Sequence, residues 1–144
     1  MIVFDTDSFE LAPMAPGLRV SFPVHSANGT ASTATVLFEL DPGATLATHT
    51  DSAEELLIIL QGTAEARIGD EVGRLDKNQV GLVPPMAPHG LTNIGYDVLR
   101  VLGTFSASTV VSTFEVPFGD DGPQVVVIGS PVMLAGRLEE PVAA

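Results

Sequence analysis

The sequence predicts an all-β sandwich or barrel, on three observations. Apolar residues come in short runs rich in β-branched and aromatic side chains. The gaps between the runs carry turn chemistry. Glycine and proline recur, 14 and 11 times in 144 residues, so few segments could sustain a long helix.

In chain order, Leu18-Arg-Val-Ser-Phe22 alternates apolar and polar, as a half-buried strand does. Thr33-Ala-Thr-Val-Leu-Phe-Glu-Leu40 is β-branched and aromatic, and stops at the turn signal Asp41-Pro42-Gly43. Ala64-Glu-Ala-Arg-Ile68 alternates and meets Gly69-Asp70, a pair suited to a two-residue hairpin loop. Gln79-Val-Gly-Leu-Val83 ends at Pro84-Pro85. Asp97-Val-Leu-Arg-Val-Leu102, Thr109-Val-Val-Ser-Thr-Phe114 and Gln124-Val-Val-Val-Ile128 follow. There is neither an internal repeat nor a low-complexity tract.

One segment is contested. Ser52-Ala-Glu-Glu55 fits a helix capping box and Gly62 a helix stop, so a helix over Ala53–Gln61 competes with a strand. The strand is the expectation. Leu56 to Leu60 is apolar all round and leaves a helix no polar face. The segment has the length of a buried strand and runs straight into the alternating Ala64–Ile68.

Composition narrows the function classes. The length suits a single domain over residues 1–144, with a barrel core at about 30–115. No cysteine is present, which removes disulfides, thiolate metal sites and cysteine nucleophiles. The net charge of −12 repels phosphate backbones and anionic lipid, so neither nucleic acid nor membrane is expected as a partner. No apolar run approaches the ~20 residues of a membrane span. The opening Met1-Ile-Val-Phe-Asp5 lacks a basic region and a cleavage site, so no signal peptide and a cytoplasmic location are expected.

Chemistry concentrates around two of the three histidines. On a strand, His49 and Asp51 share a face, because side chains alternate with period two. Glu55 opens the next strand, where its carboxylate can return to the same interior, and the same alternation turns Glu54 outward. Imidazoles and carboxylates on facing strands are what a divalent first-row ion requires. His89 follows Pro84-Pro-Met-Ala-Pro88, a stiff approach suited to a preorganised ligand. His25 lies apart and is expected to be structural or on the surface. Arg67 and Arg100 have ambiguous phase: they either enter the barrel to meet a substrate carboxylate or lie on a solvated face or in salt bridges, the second being preferred. Asn93 is expected to hold a turn. Phe38, Leu57, Ile59 and Leu91 are expected in the core or pocket wall.

These residues resemble a family. Gly43-(five)-His49-x-Asp51-(three)-Glu55-(six)-Gly62 resembles the first motif of the cupin superfamily, Gly-x5-His-x-His-x3–4-Glu-x6-Gly. Pro84-x-Met86-x2-His89-x3-Asn93 resembles the second, Pro-x-Gly-x2-His-x3-Asn, with Asn78 where a glycine precedes it. The resemblance implies a double-stranded β-helix (jelly-roll) barrel holding a metal ion (Fe, Mn, Zn or Ni) on His49, Glu55 and His89. Asp51 stands where the motif has histidine. It is either a fourth ligand or a pocket carboxylate that orients ligands or moves a proton. Met86 replaces a turn glycine, so the prolines around it are expected to shape that turn.

The functional expectation is a mononuclear metalloenzyme acting on a small organic molecule, with dioxygenase chemistry preferred and lyase or isomerase chemistry open. The alternative is a non-catalytic module that senses a metal or small molecule. The apolar strand after Pro123 needs a partner edge, so a homodimer is expected.

Overall fold

The computed structural model describes residues 1–118 and 122–129. Twelve strands follow in order: β1 (Ala12–Ala15), β2 (Leu18–Ser21), β3 (Ala34–Leu40), β4 (Thr45–Asp51), β5 (Glu55–Gln61), β6 (Thr63–Ile68), β7 (Glu71–Asp76), β8 (Val80–Val83), β9 (His89–Asn93), β10 (Leu99–Phe105), β11 (Val110–Phe114) and β12 (Val125–Ile128). A 3₁₀ turn at Ser26–Asn28 is the one helical element among the described residues, so no helix there is long and apolar enough to cross a membrane.

The strands form two six-stranded antiparallel sheets, β1-β2-β3-β10-β5-β8 and β12-β11-β4-β9-β6-β7. The architecture is the jelly roll. The contested segment is β5. Its continuous apolar run resolves into strict alternation, with Glu55, Leu57 and Ile59 buried and Leu56 and Glu54 exposed. Cross-strand hydrogen bonds to β8 and β10 satisfy its backbone.

The core fills the space between the sheets, with Leu18, Phe38, Leu40, Leu57, Ile59, Leu91, Leu99 and Val101 at its centre. A smaller, separate cluster includes Ala34, Phe105, Val110 and Ile128. The apolar strand near the C-terminus finds its edge within the chain, since Val125–Ile128 pair with Thr113–Val110 of β11. The stated reason for expecting a homodimer therefore falls away.

Candidate metal centre

The centre depends on a single irregularity in β4. Leu46 pairs with Leu91 of β9 and His49 pairs with His89, so three steps along β4 match two along β9. That is a β-bulge, and it inverts the inside–outside phase of the strand. From Leu46, strict alternation would turn Thr48 and Thr50 inward. With the bulge, Leu46 is buried and then His49 and Asp51 are. Gly90, on β9 opposite the bulge, makes room for it. A Cβ there would lie 2.9 Å from the Leu46 carbonyl oxygen and 3.4 Å from the Thr48 nitrogen.

Both imidazoles are aimed by backbone carbonyls two residues earlier. His49 Nδ1 lies 2.8 Å from the Ala47 oxygen, and His89 Nδ1 lies 2.8 Å from the Ala87 oxygen. A carbonyl only accepts, so each Nδ1 carries a proton, and each Nε2 is turned to the interior. The proline-rich turn before His89 is fastened to β4, with Met86 N donating to the Asp51 backbone oxygen at 2.8 Å. Phe114 of β11 stacks on His49, with ring centroids 4.4 Å apart and planes 18° from parallel.

The carboxylates come from opposite sheets. Glu55 Oε1 lies 3.2 Å from His89 Nε2. Glu55 fits because position 103, beside it on β10, is glycine; a Cβ there would collide with Glu55 Oε2. Asp51 Oδ1 accepts a hydrogen bond from the Ser112 hydroxyl. Asp51 Oδ2 is buried 3.0 Å from His89 Nε2 and 3.6 Å from His49 Nε2, yet has no well-aligned hydrogen-bond donor among the described residues.

The electrostatics follow from this packing. Burial, reinforced by the charge of His89, pushes the His49 pKa down to about 4. Burial alone would also lower His89, but the Asp51 and Glu55 carboxylates against its Nε2 outweigh it and raise the value to about 10. Burial pushes the Asp51 carboxyl up, and His89, His49 and Ser112 together bring it below the ordinary range. Glu55 is raised to about 7 by burial, with repulsion from Asp51 adding to the effect. A proton on His89 thus balances two buried carboxylates.

This group fits a metal. The four residues each offer one donor atom, and those atoms lie within 4.8 Å of one another. Bonds of roughly 2.0–2.2 Å put opposed donors around one ion about 4 Å apart, so only a small contraction is needed. Asp51 Oδ2, which faces both imidazole Nε2 atoms, is an acceptor aimed at the shared centre. Above it lies a cavity of about 50 Å³, walled by apolar side chains including Val20, Phe38, Leu57, Leu91 and Phe118. Among the described residues, no lysine or arginine lines it.

His49, Asp51, Glu55 and His89 are all brought together here. Arg100 lies on the outer face, paired with Glu39 and Asp7, and Arg67 is exposed. His25 caps the 3₁₀ turn. Asn93 fastens its turn, donating to the Leu40 and Asp97 oxygens and accepting from Gly95 N. The sequence reading missed Ser112 and Phe114 as site residues. Alternation along Val110–Phe114 puts both on the inward face, but only the pairing of β11 with β4 shows which residues they meet.

Residues 36–105 match the family model described as a cupin domain. No curated protein matches the chain. Among solved structures, the Schizosaccharomyces pombe Cnp3 cupin domain is similar at 21% identity and TM-score 0.64, over 74% of each chain. KdgF from Halomonas sp. is similar at 20% identity and TM-score 0.63, over 74% of this chain and 94% of that one. Lactobacillus farciminis oxalate decarboxylase, in a formate complex, is similar at 19% identity and TM-score 0.70, over 78% of this chain but 35% of its own.

Proposed function

The chain belongs to the cupin superfamily, and from that premise we propose that His49, Asp51, Glu55 and His89 hold one divalent first-row ion (Fe, Mn, Zn or Ni) in a mononuclear enzyme acting on a small organic molecule. The observation that carries this reading is the convergence of four buried donor atoms, one each from His49, Asp51, Glu55 and His89, within 4.8 Å of one another, with Asp51 Oδ2 facing both imidazole Nε2 atoms. A bound ion would supply Lewis acidity and a template for substrate, and with iron or manganese a route to dioxygen chemistry.

The chain's own residues set the rest. The apolar wall favours a small, partly hydrophobic substrate and keeps bulk water from the reacting atoms. This suits oxidative chemistry with dioxygen, the preferred version. A lyase reading draws on the likeness to oxalate decarboxylases, but among the described residues no lysine or arginine lines the cavity to meet a second carboxylate. In the metal-free protein Asp51 is held ionised, which suits the ligand role more than the alternative of a proton-moving pocket carboxylate.

Elemental analysis of protein purified without chelator or affinity-tag metal tests the proposal. One equivalent of a first-row metal is expected in the wild type, with loss in His89→Ala. Dioxygen uptake with small aromatic and aliphatic substrates then tests the oxidative version. The tightness of the cavity favours a second reading, a binding module. Retained metal without turnover of any substrate would select it.

A further inference from the structure

We infer that Ser112 is a positioning residue that restricts Asp51 to a single metal-facing oxygen. This rests on the metal reading above and adds what makes an aspartate workable where the motif has histidine. A histidine offers one donor atom in a fixed direction. An aspartate offers two and can rotate, so it needs a partner to behave likewise.

Ser112 provides that partner. It sits directly opposite Asp51 in the β4–β11 pairing and is itself 5% exposed. Its hydroxyl donates to Asp51 Oδ1, and Oδ2 is left facing His49 Nε2 and His89 Nε2. Ser52, at the other end of this junction, fastens the same two strands, its hydroxyl accepting from Val111 N at 2.9 Å. The Asp51 backbone oxygen is taken by Met86 N, so the main chain of the residue is tied down too. With Oδ1 engaged by the hydroxyl, Oδ2 is the oxygen Asp51 presents to a cation. Two-oxygen chelation, which larger ions such as Ca²⁺ exploit, would compete with the bond to Ser112 for Oδ1.

The test separates the hydroxyl from the shape of the side chain. Ser112→Thr keeps the hydroxyl, and Ser112→Val matches threonine in shape without it. Zn²⁺ affinity is measured by competition with a chromophoric chelator, and the visible spectrum of the Co²⁺-loaded protein reports the coordination sphere. Ser112→Val should bind Zn²⁺ about ten- to a hundredfold more weakly, the range for losing a residue that orients a ligand, and its Co²⁺ spectrum should change. Ser112→Thr should stay near wild type in both readouts. If the two variants bind alike, whether tightly or weakly, the hydroxyl has no such role and the inference is overturned, while loss of binding in His89→Ala would leave the metal reading standing. If wild type binds Zn²⁺ no better than His89→Ala, the metal reading fails and this inference falls with it.

Discussion

Met86 holds a left-handed backbone, φ 63°, in the turn that delivers His89, and Asn78 does the same at φ 72°. Both stand where the cupin motif has glycine. The expectation that prolines would reshape the turn around Met86 is corrected: the turn keeps the glycine conformation, and a side-chain-bearing residue adopts it. The Met86 side chain is exposed, so it recovers little by packing. Relieving a left-handed non-glycine residue is worth roughly 1–2 kcal/mol, less roughly 0.5–1 kcal/mol for glycine's greater freedom when unfolded. Met86→Gly should therefore raise the melting temperature by about 2–4 °C, read by thermal unfolding monitored by circular dichroism. At this scale the four candidate ligands were legible from residue type and spacing. Ser112 was not, because a serine in a β-branched run carries no mark until the strand opposite it is known.

Strand β4 shows what a period-two pattern hides. His49 and Asp51 were placed on one face correctly, but nothing in Thr45–Asp51 announces the bulge that turns that face inward. Its trace in the sequence is Gly90, on a different strand and without a motif of its own. Gly90→Ala would set a methyl group against backbone atoms of β4, which cannot swing away as a side-chain tip could. Overpacking of this kind costs about 1–3 kcal/mol, and here the strain falls on the segment that aims His49. The variant should lose stability of that order in urea unfolding and also bind Zn²⁺ at least tenfold more weakly. A loss of stability with unchanged affinity would mean that the bulge is not what sets the His49 direction. Strand β1 also went unread, since Ala12-Pro-Met-Ala15 has neither β-branched residues nor alternation. Its pairing with β2 supplies what its sequence lacks.

Across the whole molecule, the quartet joins the two sheets. His49, Asp51 and His89 lie on β4 and β9 of one, and Glu55 lies on β5 of the other. A cation held by all four would therefore staple the jelly roll through its middle, and would bind the folded chain alone. At free metal a hundredfold above Kd, such binding stabilises by about 2.7 kcal/mol, or roughly 10 °C in melting temperature for a chain of this size. The effect should depend on pH, with a sign set by the metal-free protein. There His89 titrates at about 10 and Glu55 at about 7, and both must be unprotonated to bind. Binding thus displaces one proton between pH 7 and 10, and a second below about pH 7. Affinity should rise with pH through both windows and more steeply in the lower one. Zn²⁺ should accordingly raise the melting temperature more at pH 8 than at pH 6, and calorimetry in buffers of differing ionisation enthalpy should register the released protons. Glu55→Gln removes the link to the second sheet while leaving three donors on the first. If it retained the full metal-induced shift, the ion would be gripping one sheet and bracing nothing across the barrel.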